Sequence, residues 1–194
     1  MWYRTYLSII CTFSLNTLSW SQTEPPYKEI PGYPSKYTEG TVISRMIDGL
    51  GYRYYWATKN LREMDLDFRP DTHARSIYET MEHIYDLSIM ILNASKNQVN
   101  QRIDTSQMNI NELRLATLEN LKLASQKVSL INNLKDFNML FQNPLKRKML
   151  PFWHVLNGPL ADAIYHTGQI VSFRRTSGNP INPEVNVLMG KTDQ

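Results

Sequence analysis

The stretch Gly158-Pro159-Leu160-Ala161-Asp162-Ala163-Ile164-Tyr165-His166-Thr167-Gly168-Gln169 decides how this chain is read. It reads as the opening of a helix. Asn157 suits an N-cap, and Pro159 suits a first turn, where a missing N–H has no intrahelical bond to lose. Asp162 and His166 are four residues apart and share one helix face, with Gln169 three residues further along it. A carboxylate and an imidazole so spaced reach one small cation. A third ligand has to come from another element, and His83, in an earlier helical stretch, is the best placed. One carboxylate with two imidazoles suits a divalent transition metal and leaves coordination positions open. Each residue also has a plainer reading: a first-turn Asp is stabilised by the helix dipole, and His166 fits as a hydrogen-bonded interior histidine.

Around this helix, expected from Pro159 to about Arg175, the apolar spacing predicts three more. In the last helix itself Leu160, Ile164, Gly168 and Val171 are expected to face the core, with Asp162, His166, Gln169 and Phe173 on the neighbouring face. The first helix begins near Thr38 and runs to about Leu61 on the stripe Ile43, Met46, Leu50, Tyr54, Ala57 and Leu61. Gly49 and Gly51 each cost about 1 kcal/mol against Ala in a helix interior, which predicts close approach by a neighbouring element. Tyr54, Tyr55 and Trp56 offer an aromatic wall to a ligand pocket. The second helix runs from Asp71 or Thr72 to about Ala94 on Ile77, Met81, Ile84 and Ile91, and His83 lies on the flank of that arc. The third runs from about Asn109 to Phe137 and is assigned to packing. The segment 139–154, broken by Pro144 and Pro151, reads as a crossover, and no strand set is expected. Four long helices with one long connection predict an all-α four-helix bundle.

The chain has 194 residues, enough for one core, with 42% hydrophobic and 20% charged residues. Its formal net charge of +3 is not gathered into a long basic tract, so no nucleic-acid partner is expected. Lys146-Arg147-Lys148 and Arg174-Arg175 read as solvated surface, and His73 and His154 as structural or surface residues. Arg4, the short apolar run 7–15 and the small residues Ser19 and Ser21 read as a secretory signal cut before Gln22. The run is too short for a stable membrane anchor. The expected organisation is a signal peptide over 1–21, a Pro-rich arm over 22–37, the bundle over 38–182 and a tail over 183–194. A secreted or periplasmic location follows. The mature chain then loses Cys11, its sole cysteine, which excludes a disulfide framework, a cysteine nucleophile and a thiolate metal site.

Three stretches, Met46 to Thr58, Arg75 to Tyr85 and Asp162 to Ile170, resemble the DinB-like family of helical bundles, which includes thiol-dependent transferases related to bacillithiol transferase. That family typically carries one histidine in the second helix, then His-x-x-x-His followed by Gly-Gln in the last. The resemblance implies that His83 and His166 are metal ligands and that Asp162 stands where the family usually has its other histidine. It implies nickel or zinc as the metal, a small-molecule substrate, a metal-dependent transferase or hydrolase activity and a bundle able to pair as a homodimer. An Asp there makes the site harder and more anionic, or marks it as degenerate, in which case the protein is a non-catalytic binding module or a structural bundle. Gln169 would orient a ligand from the outer shell, Tyr54, Tyr55 and Trp56 would shape the pocket, and Glu82 offers a base beside His83.

Overall fold

Three long helices start with the same local device. Thr38, Ser76 and Asn109 each sit in extended backbone, accept a backbone N–H of the first turn, and receive a side chain reaching back from three residues on. They open α1 (Glu39–Thr58), α3 (Ile77–Ala94) and α4 (Ile110–Val128), with a four-residue α2 (Glu63–Leu66) between the first two. The computed structural model describes residues 24–101, 103–142 and 147–192; the expected signal peptide, 1–21, lies outside them. After a short turn α5 (Trp153–Val155), the fourth long helix is α6 (Ala161–Thr176). The protein is mainly helical, with small sheets.

The four long helices close a ring: α1 and α3 each pack against both α4 and α6. Ile47, Leu50, Met81, Ile84, Leu113 and Leu121 fill its centre with no exposed surface. Met46, expected in the first stripe, is instead 44% exposed, and Ile47 takes the inward place. The third helix ends at Val128, nine residues before the expected Phe137, because the start of α1 abuts it there. A Cβ on Gly40 would run into the carbonyl oxygens of Val128 and Ile131. Backbone cannot move aside cheaply, so Gly40→Ala is expected to cost about 1–3 kcal/mol, read as a lower midpoint in urea unfolding with unchanged slope.

The second helix starts at Ile77 rather than Asp71 or Thr72. Asp71 Oδ1 accepts from the backbone of His73 and Ala74, an Asx turn that holds this segment out of the helix until Ser76 caps it. The crossover also differs from expectation. It holds an antiparallel hairpin, β2 (Asn138–Gln142) and β3 (Arg147–Pro151), and β1 (Val99–Asn100) adds parallel to β2. A second hairpin, β4 (Val185–Asn186) with β5 (Lys191–Thr192), forms in the tail. Strands of two to five residues are too short for alternation to register, and Pro151 sits at the end of an edge strand, where its missing N–H breaks no ladder.

The Pro-rich arm is packed on the bundle. The Tyr27 ring occupies the space a Cβ would take at Gly51, which fulfils the close approach expected there. Its hydroxyl donates to Asp48 Oδ1 at 3.0 Å, and Trp56 Nε1 donates to the Lys28 carbonyl at 3.1 Å. The tail hairpin joins the same face: Ile30 N donates to the Gly190 carbonyl, and Tyr52 Oη to that of Lys191.

One buried carboxylate ties α2 to the end of α6. Asp65 accepts from Arg62 Nη2 at 2.7 Å, Arg62 Nε at 3.0 Å, Ser177 Oγ at 2.9 Å and Asn179 Nδ2 at 2.6 Å. The Arg62 guanidinium, with smaller help from Asn179 and Ser177, holds this carboxyl well below the usual carboxylate range. The unfolded chain therefore binds the proton more tightly, and stability is lost as pH falls below the ordinary Asp range. Asp65→Asn is expected to lower the melting temperature at neutral pH and to flatten its acid limb below about pH 4. Melting curves across that limb check both.

Candidate metal centre

The approach to α6 is irregular, and this sets the site. The turn of α5 runs into a π-type segment, Leu156–Leu160, in which Gly158 has φ −98° and ψ −109°. Asn157 therefore lies inside this kink and does not cap α6. The helix is entered through Leu160 with no side-chain cap. Its buried face also departs from the expected stripe. Leu160, Ala163, Thr167, Ile170 and Arg174 are buried, while Gly168 is exposed and Ile164 and Val171 are only partly covered. The face is turned by one residue, about 100°. Apolar periodicity misses it because two of its members are polar and satisfied internally. Thr167 Oγ1 donates to the Ala163 carbonyl at 2.7 Å, and Arg174 donates to carbonyls at the end of α1. The rotation carries His166 into the seam between α6 and α3.

There it meets His83. The two imidazoles stand nearly perpendicular, 84° apart, with ring centres separated by 4.7 Å. Asp162 bridges them. Its Oδ2 is 3.1 Å from His83 Nε2, and its Oδ1 is 3.4 Å from His166 Nε2. One donor atom from each residue lies within 4.8 Å of the others. Ligand atoms held 2.0–2.1 Å from one ion in tetrahedral directions are roughly 3.3–3.4 Å apart, so the widest pair of this set has to draw in to surround a cation. His83, Asp162 and His166 form a candidate metal site.

The outer partner of His166 supports this fit. Its Nδ1 is 2.6 Å from Gln169 Oε1. With Oε1 as the acceptor, Nδ1 carries the proton and Nε2 is left to face Asp162 as a ligand nitrogen. Exposure is graded across the site: the His166 side chain is 10% exposed, His83 27% and Asp162 43%. The histidines thus form the floor and the carboxylate the lip. Beside Asp162 lies an open depression of about 410 Å³, bordered by Leu87, Asn157, Pro159 and the exposed ring of Tyr165. Of the three candidate ligands, Asp162 alone borders it.

No family model matches this chain, and no curated protein matches it. The cluster therefore stands on its own geometry.

The structure brings together four of the residues singled out from sequence: His83, Asp162, His166 and Gln169. It places the other three elsewhere. Tyr54 is fully buried, and burial pushes its hydroxyl above the usual phenol range. Tyr55 donates to Glu24, and Trp56 to the Lys28 carbonyl, so both rings face the arm. Neither borders the depression beside Asp162. Glu82, the offered base, accepts from Thr105 Oγ1 at 2.7 Å. His73 and His154 are both exposed.

Two arginines carry structure that sequence reading assigned to surface or passed over. Arg174 is 2% exposed and donates to the carbonyls of Trp56, Ala57 and Lys59, so it caps the C-terminus of α1 from a neighbouring helix. Arg114 donates to Thr58 Oγ1 and the Tyr55 carbonyl and lies over the Tyr55 ring. A signal for the first existed. Among the described residues α1 has no basic residue in its last turn and no capping glycine after it, so its carbonyls required a donor from elsewhere. Also among the described residues, no helix is long and apolar enough to cross a membrane.

Proposed function

We propose that this protein is an exported metal-binding bundle of DinB-like type that holds one divalent ion, nickel or zinc, through His83, Asp162 and His166. The observation that carries the proposal is the outer-shell bond from His166 Nδ1 to Gln169, which leaves Nε2 as a ligand aimed at a carboxylate shared with a second imidazole. A helical protein that packs polar residues at such a seam gains little stability from them, whereas a cation would use all three at once. Such an ion supplies Lewis-acid polarisation and a nucleophile at neutral pH.

The chain's own groups do the rest. His166 forms the shielded floor, Gln169 fixes its ring, and Asp162 offsets part of the ion's charge at the lip. The depression bordered by Leu87, Pro159 and Tyr165 admits a small electrophilic substrate with an apolar body. This arrangement suits a metal-dependent transferase or hydrolase. The apolar segment of residues 1–21 supports export to the periplasm or beyond, and export argues against a cytosolic thiol as cosubstrate.

Metal analysis of protein purified without a polyhistidine tag tests the proposal. About one equivalent of nickel or zinc per chain is expected, either as purified or after loading of stripped protein. Protein that takes up neither ion sinks it. A second reading has an observation of its own: Asp162 Oδ2 already lies within hydrogen-bond distance of His83 Nε2, so the carboxylate has a partner without an ion and the protein can serve as a non-catalytic binding module. Turnover on a panel of ester, amide and thiol-plus-electrophile substrates separates the two. Full metal loading with no turnover favours the binding module.

A further inference from the structure

A second cavity lies away from the candidate metal site. A groove of about 660 Å³ opens where the start of α1 meets the loop after α4 and the entry to α5. Ile43 and Phe152, both buried, line its deeper part, and Leu134 and Leu156 also border it. Two aromatic rings border it at the surface: Trp153 is 75% exposed and Tyr37 is 96% exposed. A cleft of this size with apolar and aromatic walls has the character of a small-molecule site.

Its polar groups narrow the chemistry of the occupant. Thr38 Oγ1 accepts from Thr41 N at 3.1 Å, Glu39 Oε2 from Leu134 N at 2.7 Å, and Asn133 Oδ1 from Lys135 N at 3.0 Å. These acceptors are committed to holding the local backbone. The Lys135 ammonium is different: among the described residues it has no acidic partner. The groove therefore offers a long apolar surface, the Lys135 ammonium, and one carboxylate, Glu39, whose charge is offset by the first turn of α1 and the Leu134 N–H. We propose that it binds a single-tailed carboxylate, with an aliphatic chain laid between Trp153 and the Ile43–Phe152 floor and its head group at Lys135. The site is distinct from the metal cluster. Leu156 borders this groove, while Asn157 and Gly158 border the depression beside Asp162.

Titration of the full mature chain with dodecanoate, below its micelle-forming concentration, tests this by calorimetry and tryptophan fluorescence. One saturable equivalent is expected, with a shift in emission that Trp153→Phe removes while the heat of binding remains. Val42→Trp, a change at a half-exposed wall residue, should fill the groove and abolish binding, with circular dichroism reporting that the helices persist. Lys135→Glu should weaken dodecanoate about fivefold, the size of one exposed ion pair, and leave dodecan-1-ol unchanged. Absence of saturable binding overturns the proposal. So does equal binding by Val42→Trp, or equal weakening of acid and alcohol by Lys135→Glu. If sedimentation shows a dimer that Val42→Trp splits, the groove is an interface between copies and the ligand reading fails.

Discussion

His166→Ala is expected to abolish stoichiometric metal while leaving the helical fold in place. The ring is the least exposed of the three candidate ligands and, among the described residues, the only one with an outer partner on its other nitrogen. Removing it leaves Asp162 and His83 as a two-donor site open to water. Disturbing an outer-shell partner alone typically lowers metal affinity 10–100-fold, so loss of the ligand itself should exceed about 100-fold. Gln169→Leu should fall within that 10–100-fold range, because Nδ1 loses its acceptor while Nε2 remains. Competition with a chelator of known affinity measures both, and far-ultraviolet circular dichroism shows that the helices persist. Equal metal affinity in wild type and His166→Ala would remove the site from this seam.

The largest stability effect is expected at Arg174. This guanidinium joins three elements, bonding to the carbonyls of Ala57 at 3.0 Å and Lys59 at 2.8 Å at the end of α1, and to the Asn179 carbonyl at 2.8 Å beyond α6. Burial lowers its affinity for the proton, with the nearby Asp65 carboxylate acting in the opposite direction. Arg174→Ala leaves several carbonyls without a donor and opens a cavity under the tail. The expected loss is about 3–5 kcal/mol, from unsatisfied acceptors at about 1–3 kcal/mol each with partial rescue by water. Arg174→Lys keeps the charge but not the planar fork and should recover less than half of it. Differential scanning calorimetry reads this as a drop of roughly 10 °C, at 2–4 °C per kcal/mol for a domain of this size.

The parts of the fold that were legible from sequence are those where one residue type has one use. Thr38, the periodicity of Ile77, Met81, Ile84 and Ile91, and Gly51 each announced their role, whereas Gly49 meets only the Arg53 side chain of its own helix. The ends of elements were not legible. Val128 ends α4 because Gly40 brings α1 against it, a contact between residues 88 positions apart that no local window contains. The hairpin of β2 and β3 was hidden by its brevity. Within α6 the buried stripe was misplaced by one residue, since Thr167 and Arg174 occupy inward positions that hydrophobicity assigns to the outside. The convergence of His83, Asp162 and His166 was legible in spite of that error. Asp162 and His166 are linked by helix geometry alone, and a turned helix moves both together. The aromatic wall was placed wrongly beside them because Tyr55 and Trp56 face an arm whose docking depends on a tyrosine at positive φ, Tyr27.

The π-type kink at Leu156–Leu160 has a consequence for how this protein tolerates change in length. An uninterrupted helix from Trp153 would lock the rotational phase of everything before it to that of Asp162, and each added residue would turn the carboxylate by about 100° relative to the upstream chain. The kink breaks that coupling, because one irregular turn takes up the offset. The chain ahead of Trp153 can therefore shift or gain a residue while the carboxylate keeps its aim at His83.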